Sequence, residues 1–175
     1  MSARRKVGER ATPGHTPTQA TEGFDPSTGL ALEPRLARRL RDAAASDSGP
    51  LLIGTLALQN GKELEGAGAA LPLRALLGAG DALRAALPFV HVLARTGANE
   101  LAFLLPNAGS EPDARAKEVL RAVATKLASD PALNFPVPLQ LAFGYAECPR
   151  DGADAAVLLQ RARRVKWRVG AAASG

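Results

Sequence analysis

The sequence predicts an α/β domain (α+β by the stricter naming): a central mixed sheet with helices packed around it and a β-hairpin at its middle. Three observations carry this. Apolar patterns of helical and strand period alternate in the order α-β-α-β-β-α-β-α, which places helices over a sheet. Two neighbouring apolar runs, "FVHVLART" and "ELAFLLP", are separated only by Gly97, Ala98 and Asn99, a length that suits a hairpin loop. Hydrophobic residues make up 46% of the 175, enough for one domain with a true core.

Residues 1–22 hold many Thr, Pro, Gly and charged residues and almost no large apolar ones, so the segment is expected to be a disordered tail. The domain is expected over 23–170, with 171–175 a flexible C-terminus. "LEPRLARRLRDAAAS" predicts a first helix, with Pro34 in its first turn and Leu36 and Leu40 four apart. "PLLIGTLALQ" predicts a buried strand. "PLRALLGAGDALRAAL" predicts a helix that Gly78 and Gly80 weaken or interrupt.

After the hairpin, "SEPDARAKEVLRAVATKLAS" is the clearest helix. Ser110 and Asp113 have capping-box spacing, and Ala116, Val119, Leu120, Val123 and Leu127 share a face. "VPLQLAFGYAE" predicts a strand. "DGADAAVLLQRARRVKWRV" predicts a final helix with an apolar stripe of Leu158, Ala162, Val165 and Val169.

Composition narrows the function classes. The single Cys148 excludes an internal disulfide and a multi-cysteine metal site, and it fits a reducing cytoplasm. No apolar run reaches the roughly 18–20 residues of a membrane span. The first residues are charged with no hydrophobic stretch behind them, unlike a secretory signal. A cytoplasmic protein is expected. Net charge is +5 and the sequence pI about 10.0, with clusters at "ARRKVGER" and "RARRVKWR". Such a balance is shared by binders of nucleic acid, binders of acidic partners and ordinary surfaces, so the charge alone decides nothing.

Three stretches together resemble the GGDEF domain of the diguanylate cyclase family. "FDPSTGLALEPRLARRL" is similar to the opening signature D-x-L-T-G-L-x-N-R, keeping Asp25, Thr28, Gly29 and Leu30. "ARTGANELAFLLP" resembles A-R-x-G-G-D-E-F-A-x-L-L-P. "LQLAFGYAECPRDGADAAVLLQRA" is similar to S-x-G-V-A-x-x-P-x-D-G-x-D-A-x-x-L-L-x-x-A. They occur in family order at roughly family spacing. The resemblance implies a nucleotidyl-cyclase palm-like fold.

It also implies a chemistry against which the residues can be compared. Active members join two GTP molecules into cyclic di-GMP by phosphoryl transfer, using metal ions held on carboxylates. The first-strand Asp falls on Ala57 in the register that puts Lys62 on a phosphate-contacting Lys. A neighbouring register puts Gly54 or Thr55 there, and no residue of "PLLIGTLALQ" is acidic. The motif reads Gly97, Ala98, Asn99, Glu100, Leu101, so its acidic third position is an amide, a weaker ligand for a hard cation. Ala98 adds a Cβ where the family's Gly lets backbone approach GTP. The C-terminal phosphate contacts fall on Gly170 and near Ser174. The guanine-reading Asn falls on Glu65, and Asp81 matches the guanine-reading Asp. The product-inhibition R-x-x-D falls on Pro88 and His91.

The expectation is a degenerate GGDEF domain without catalytic residues, metal or cofactor, acting as a regulatory or scaffolding module for another protein. The alternative is a receptor for GTP or cyclic di-GMP using Lys62 and Asp81; a residual cyclase ranks third. Each residue also has a plainer reading: Asp81 as a helix cap, Lys62 as a solvated loop residue, His91 as a strand residue, Cys148 as a free thiol, Trp167 as packing. Arg161, Arg164 and Arg168 form a basic face on the predicted last helix, suited to an acidic protein surface. Nucleic acid is not expected, because aromatic platforms are missing.

Overall fold

The computed structural model describes residues 23–46, 49–87, 89–106, 111–164 and 167–170. The expected tail 1–22 and terminus 171–175 lie outside them, as do Pro88, Ser110, Val165 and Lys166. The elements are β1 (Ala31–Leu32), α1 (Glu33–Ala45), β2 (Leu51–Leu58), α2 (Gly61–Ala67), α3 (Leu71–Ala86), β3 (Val92–Gly97), β4 (Glu100–Pro106), α4 (Pro112–Ser129), β5 (Gln140–Cys148), α5 (Ala155–Ala162) and β6 (Trp167–Gly170). A short 3₁₀ turn, Pro131–Leu133, follows α4.

The strands form one six-stranded sheet in the order β1-β3-β4-β2-β5-β6. β1 and β3 run parallel and every other neighbouring pair is antiparallel, so the sheet is mixed as expected. Both faces are covered, which is why the central strands read as nearly unbroken apolar runs. On one face Leu52, Leu56, Leu101, Phe103, Leu141 and Phe143 meet α3 and α4. On the other, Leu51, Ile53, Ala102, Leu104 and Ala146 meet Leu36 and Leu40 of α1 and Leu158, Leu159 and Ala162 of α5. The α4 face is as the spacing predicts: Ala116, Val119, Val123 and Leu127 are buried and Leu120 is half-buried.

Several expectations are corrected. Gly78 and Gly80 do not interrupt α3, which is continuous. A Cβ on Gly78 would overlap the side chain of Leu133, and one on Gly80 would crowd Leu101 and Leu93, so these glycines serve close packing. Asp81 therefore caps nothing; it lies well inside α3, exposed, and pairs with Arg84 at 3.3 Å. Helix α4 begins after Glu111 with no side-chain cap, and Asp113 instead accepts a hydrogen bond from the Tyr145 hydroxyl. His91 is exposed in a bend just before β3.

The predicted last helix is half as long as its apolar stripe suggests. Asp154 caps α5 by accepting from the backbone N–H groups of Ala156 and Val157, each at 3.0 Å, and the helix ends at Ala162. The chain then returns as β6, pairing Trp167 with Phe143 and Val169 with Leu141. Trp167 stacks on Tyr145 with ring centroids 5.6 Å apart, so its packing role holds, though on a strand. Arg161, Arg164 and Arg168 consequently do not share a helix face. Arg161 is in α5, 3.6 Å from Asp151; Arg164 lies just beyond the helix; Arg168 sits exposed on β6. Lys62 is exposed in the first turn of α2, not in a loop.

Candidate functional site: the hairpin tip and its two arginines

The tip is tighter than the sequence suggests. Gly97 already pairs with Glu100, leaving Ala98 and Asn99 as the connection, with a bulge between Arg95 and Gly97. Arg95 holds this bulge from inside: its Nε donates to the Gly97 carbonyl at 3.2 Å and its Nη2 to the Ala98 carbonyl at 3.2 Å. Its Nη1 reaches the opening signature, donating to Asp25 at 2.6 Å and to the Ser27 hydroxyl at 3.1 Å.

Asp25 is the hub of that signature. One oxygen accepts from the Ser27 N–H at 2.9 Å and the Ser27 hydroxyl at 2.8 Å; the other accepts from the Thr28 hydroxyl at 3.0 Å as well as from Arg95. Arg95 above all, with these donors, holds its carboxyl far below the usual carboxylate range. A depressed folded-state pKa gives stability that is present above the unfolded value, about 3.9, and is lost as pH falls. Asp25→Asn is thus expected to lower the melting temperature at neutral pH, with the gap to wild type narrowing below about pH 4. Thermal melts across that range check it; a gap unchanged by acid would assign the loss to packing alone.

Glu100 stands directly across the ladder from Ala57. It is not a free tip residue. Its Oε1 accepts from the Thr96 hydroxyl at 2.6 Å and from Arg163 Nη2 at 2.9 Å and Nε at 3.0 Å, and Arg163 Nε also lies 3.2 Å from Oε2. Arg163 is also 3.8 Å from Glu33 of α1. Its hydrogen bond to Glu100 raises its pKa above the ordinary arginine value. Thr55, Ala57, Gln59, Glu100, Ala142, Phe143, Gly144 and Arg163 line a cleft of about 230 Å³ at this point.

Asn99 turns away from that cleft. Its carbonyl accepts the Leu58 N–H at 2.8 Å, and its side-chain amide packs over Gly61, where a Cβ would lie 2.5 Å from Nδ2. Leu101, in the place of the motif's Phe, is fully buried and keeps the apolar role. Ala98 is exposed.

The residues present do not fit the divalent ion that the resemblance implies. Ala57 offers a methyl group, Asn99 a packed amide, and Glu100 is already bonded to Thr96 and Arg163. Among the described residues no group of three or more His, Cys, Asp or Glu converges on one point. The structure also does not bring Asp81 to the tip: the two grooves it lines, between α3 and the end of α4, include none of Lys62, Ala57 or Glu100. Cys148 is a buried free thiol whose pKa burial pushes up. No described helix is long and apolar enough to cross a membrane. The resemblance gave Arg95 and Glu100 their positions, but neither partner, Asp25 or Arg163, was legible as a contact.

No family model and no curated protein sequence matches the chain. Solved structures do. The GGDEF domain of TpbB (YfiN) from Pseudomonas aeruginosa is similar at 25% identity with a TM-score of 0.62, over 79% of this chain and 83% of that one. The GGDEF domain of DgcB from Caulobacter crescentus, solved in complex with c-di-GMP, is similar at 18% identity and TM-score 0.62, over 81% and 85%. The diguanylate cyclase SiaD of Pseudomonas aeruginosa, solved with its activator SiaC, is similar at 22% identity and TM-score 0.58, over 81% of this chain and 58% of that one. The mixed sheet and its surrounding helices agree with these likenesses: the chain is a domain of the GGDEF fold.

Proposed function

We propose that this domain has no cyclase activity and serves as a regulatory or scaffolding module that binds another protein. The observation that carries the reading is the Ala57–Glu100 pair: a methyl group stands where metal-assisted phosphoryl transfer needs a carboxylate, and Glu100 across the ladder from it is engaged by an arginine. Without charge to hold a metal between phosphates, the electrostatic part of the catalysis is lost. The partner reading draws support from SiaD, a GGDEF-fold relative that was solved with a protein activator.

Incubation with GTP and Mg²⁺ or Mn²⁺, read by mass spectrometry, is expected to give no cyclic di-GMP above a heat-killed control. Asn99→Asp is expected to restore none, since Ala57 still supplies no second carboxylate and Glu100 stays paired. Product above the control would overturn the reading. Calorimetric titration with GTP and with cyclic di-GMP separates the remaining classes, because tight binding of either would make the domain a nucleotide receptor instead.

A further inference from the structure

We infer that Arg163 is the resident cation of this site: its guanidinium occupies Glu100 beside Ala57, does the work of a bound metal in neutralising the tip, and makes the domain indifferent to divalent ions. This deepens the non-catalytic reading and rests on it. The GGDEF resemblance places a metal between the first-strand position, Ala57, and the hairpin motif. Here one guanidinium faces that same strand end and bonds to Glu100 through both Nε and Nη2, a two-pronged contact that suits a planar fork.

The arginine is delivered by a fixed element. Arg163 is the C-cap that directly follows α5, and its N–H donates to the Leu159 carbonyl at 2.9 Å. The preceding Ala162 carbonyl accepts from the Thr55 hydroxyl of β2 at 3.0 Å, and it lies so close over Gly144 of β5 that a Cβ there would overlap it. Thr55 and Gly144 thereby anchor the end of α5 above the cleft, and the side chain has a short reach to Glu100 and Glu33. One cation joins three elements, α1, the hairpin tip and α5. Any ligand that needs Glu100 must first displace it.

The test compares wild type, Arg163→Met, Glu100→Gln and the double variant by thermal melting, each in EDTA and in millimolar Mn²⁺. Wild type is expected to melt at the same temperature in both. Arg163→Met is expected to melt lower by about 2–4 °C. Adding Glu100→Gln to Arg163→Met is expected to recover part of that loss, because a neutral amide needs no counter-charge; Glu100→Gln alone is expected to cost stability. This sign reversal is one that a purely packing role for Arg163 would not produce. If Arg163→Met fails to fold, recovery of folding in the double variant makes the same point, and the wild-type comparison in Mn²⁺ stands without any variant. A wild-type melting temperature raised by Mn²⁺, or additive losses in the double variant, overturns the assignment. Such a shift without cyclic di-GMP formation sinks this inference alone, whereas product formation sinks the non-catalytic reading itself.

Discussion

Gly144→Ala is expected to lower the melting temperature by about 6–12 °C, the shift that a loss of ~3 kcal/mol gives a domain of this size. A Cβ at this position would overlap the Ala162 carbonyl and press on the Arg164 carbonyl. Both obstacles are backbone, so no side-chain rotation relieves them. Either β5 or the end of α5 must move, and with it go the Thr55 hydrogen bond and the placement of Arg163. Gly66→Ala is the control: it lies in α2 with nothing near the added methyl, so it is expected to be neutral or to stabilise by up to ~1 kcal/mol through helix propensity. Circular-dichroism melts of the two variants decide the matter. If Gly144→Ala melts with Gly66→Ala, α5 does not sit as tightly on the sheet as described.

Phe103→Ala is expected to cost about 3–5 kcal/mol, a fall in melting temperature of about 6–20 °C. The ring is fully buried at the centre of the larger core, with its centroid 6.0 Å from that of Phe143. The far end of the ring also covers Gly54, its direct partner in β2, where any Cβ would overlap it. The two positions are therefore expected to be coupled. Gly54→Ala should be severe in wild type and milder in a Phe103→Leu background, where the ring no longer fills that space. Chemical denaturation of the four proteins measures the coupling, and equal costs in both backgrounds would refute it.

The elements legible in the sequence were those whose burial pattern is set locally. The α4 stripe from Ala116 to Leu127, the runs of β2 and β5 and the hairpin all follow from spacing. Where reading failed, a distant contact had won. Gly78 and Gly80 look like breakers until Leu133 and Leu101 are seen filling the space beside them. "RARRVKWRV" keeps helical spacing and has no Pro or Gly before Gly170, yet α5 stops at Ala162. The chain instead pairs with β5, placing Trp167 on Phe143 and Tyr145. The site divides the same way. Ala57 and Asn99 could be picked out by resemblance, whereas nothing local announces that Glu100 is paired with Arg163.

The strand order has a consequence for how the chain comes to be folded. β2 lies between β4 and β5, and both partners come later in the sequence. A nascent chain that has emerged only as far as Pro106 can assemble β1 through β4, but the second edge of β2 then has no strand to pair with. That edge runs through "LLIGTLAL", an apolar segment with no charge and no proline, the type of unpaired edge on which other chains add strands. Completion waits for β5, so a chain that has emerged only to Pro106 carries an open edge of the kind that invites aggregation. The open edge of β2 is covered only when Gln140–Cys148 becomes available to pair with it.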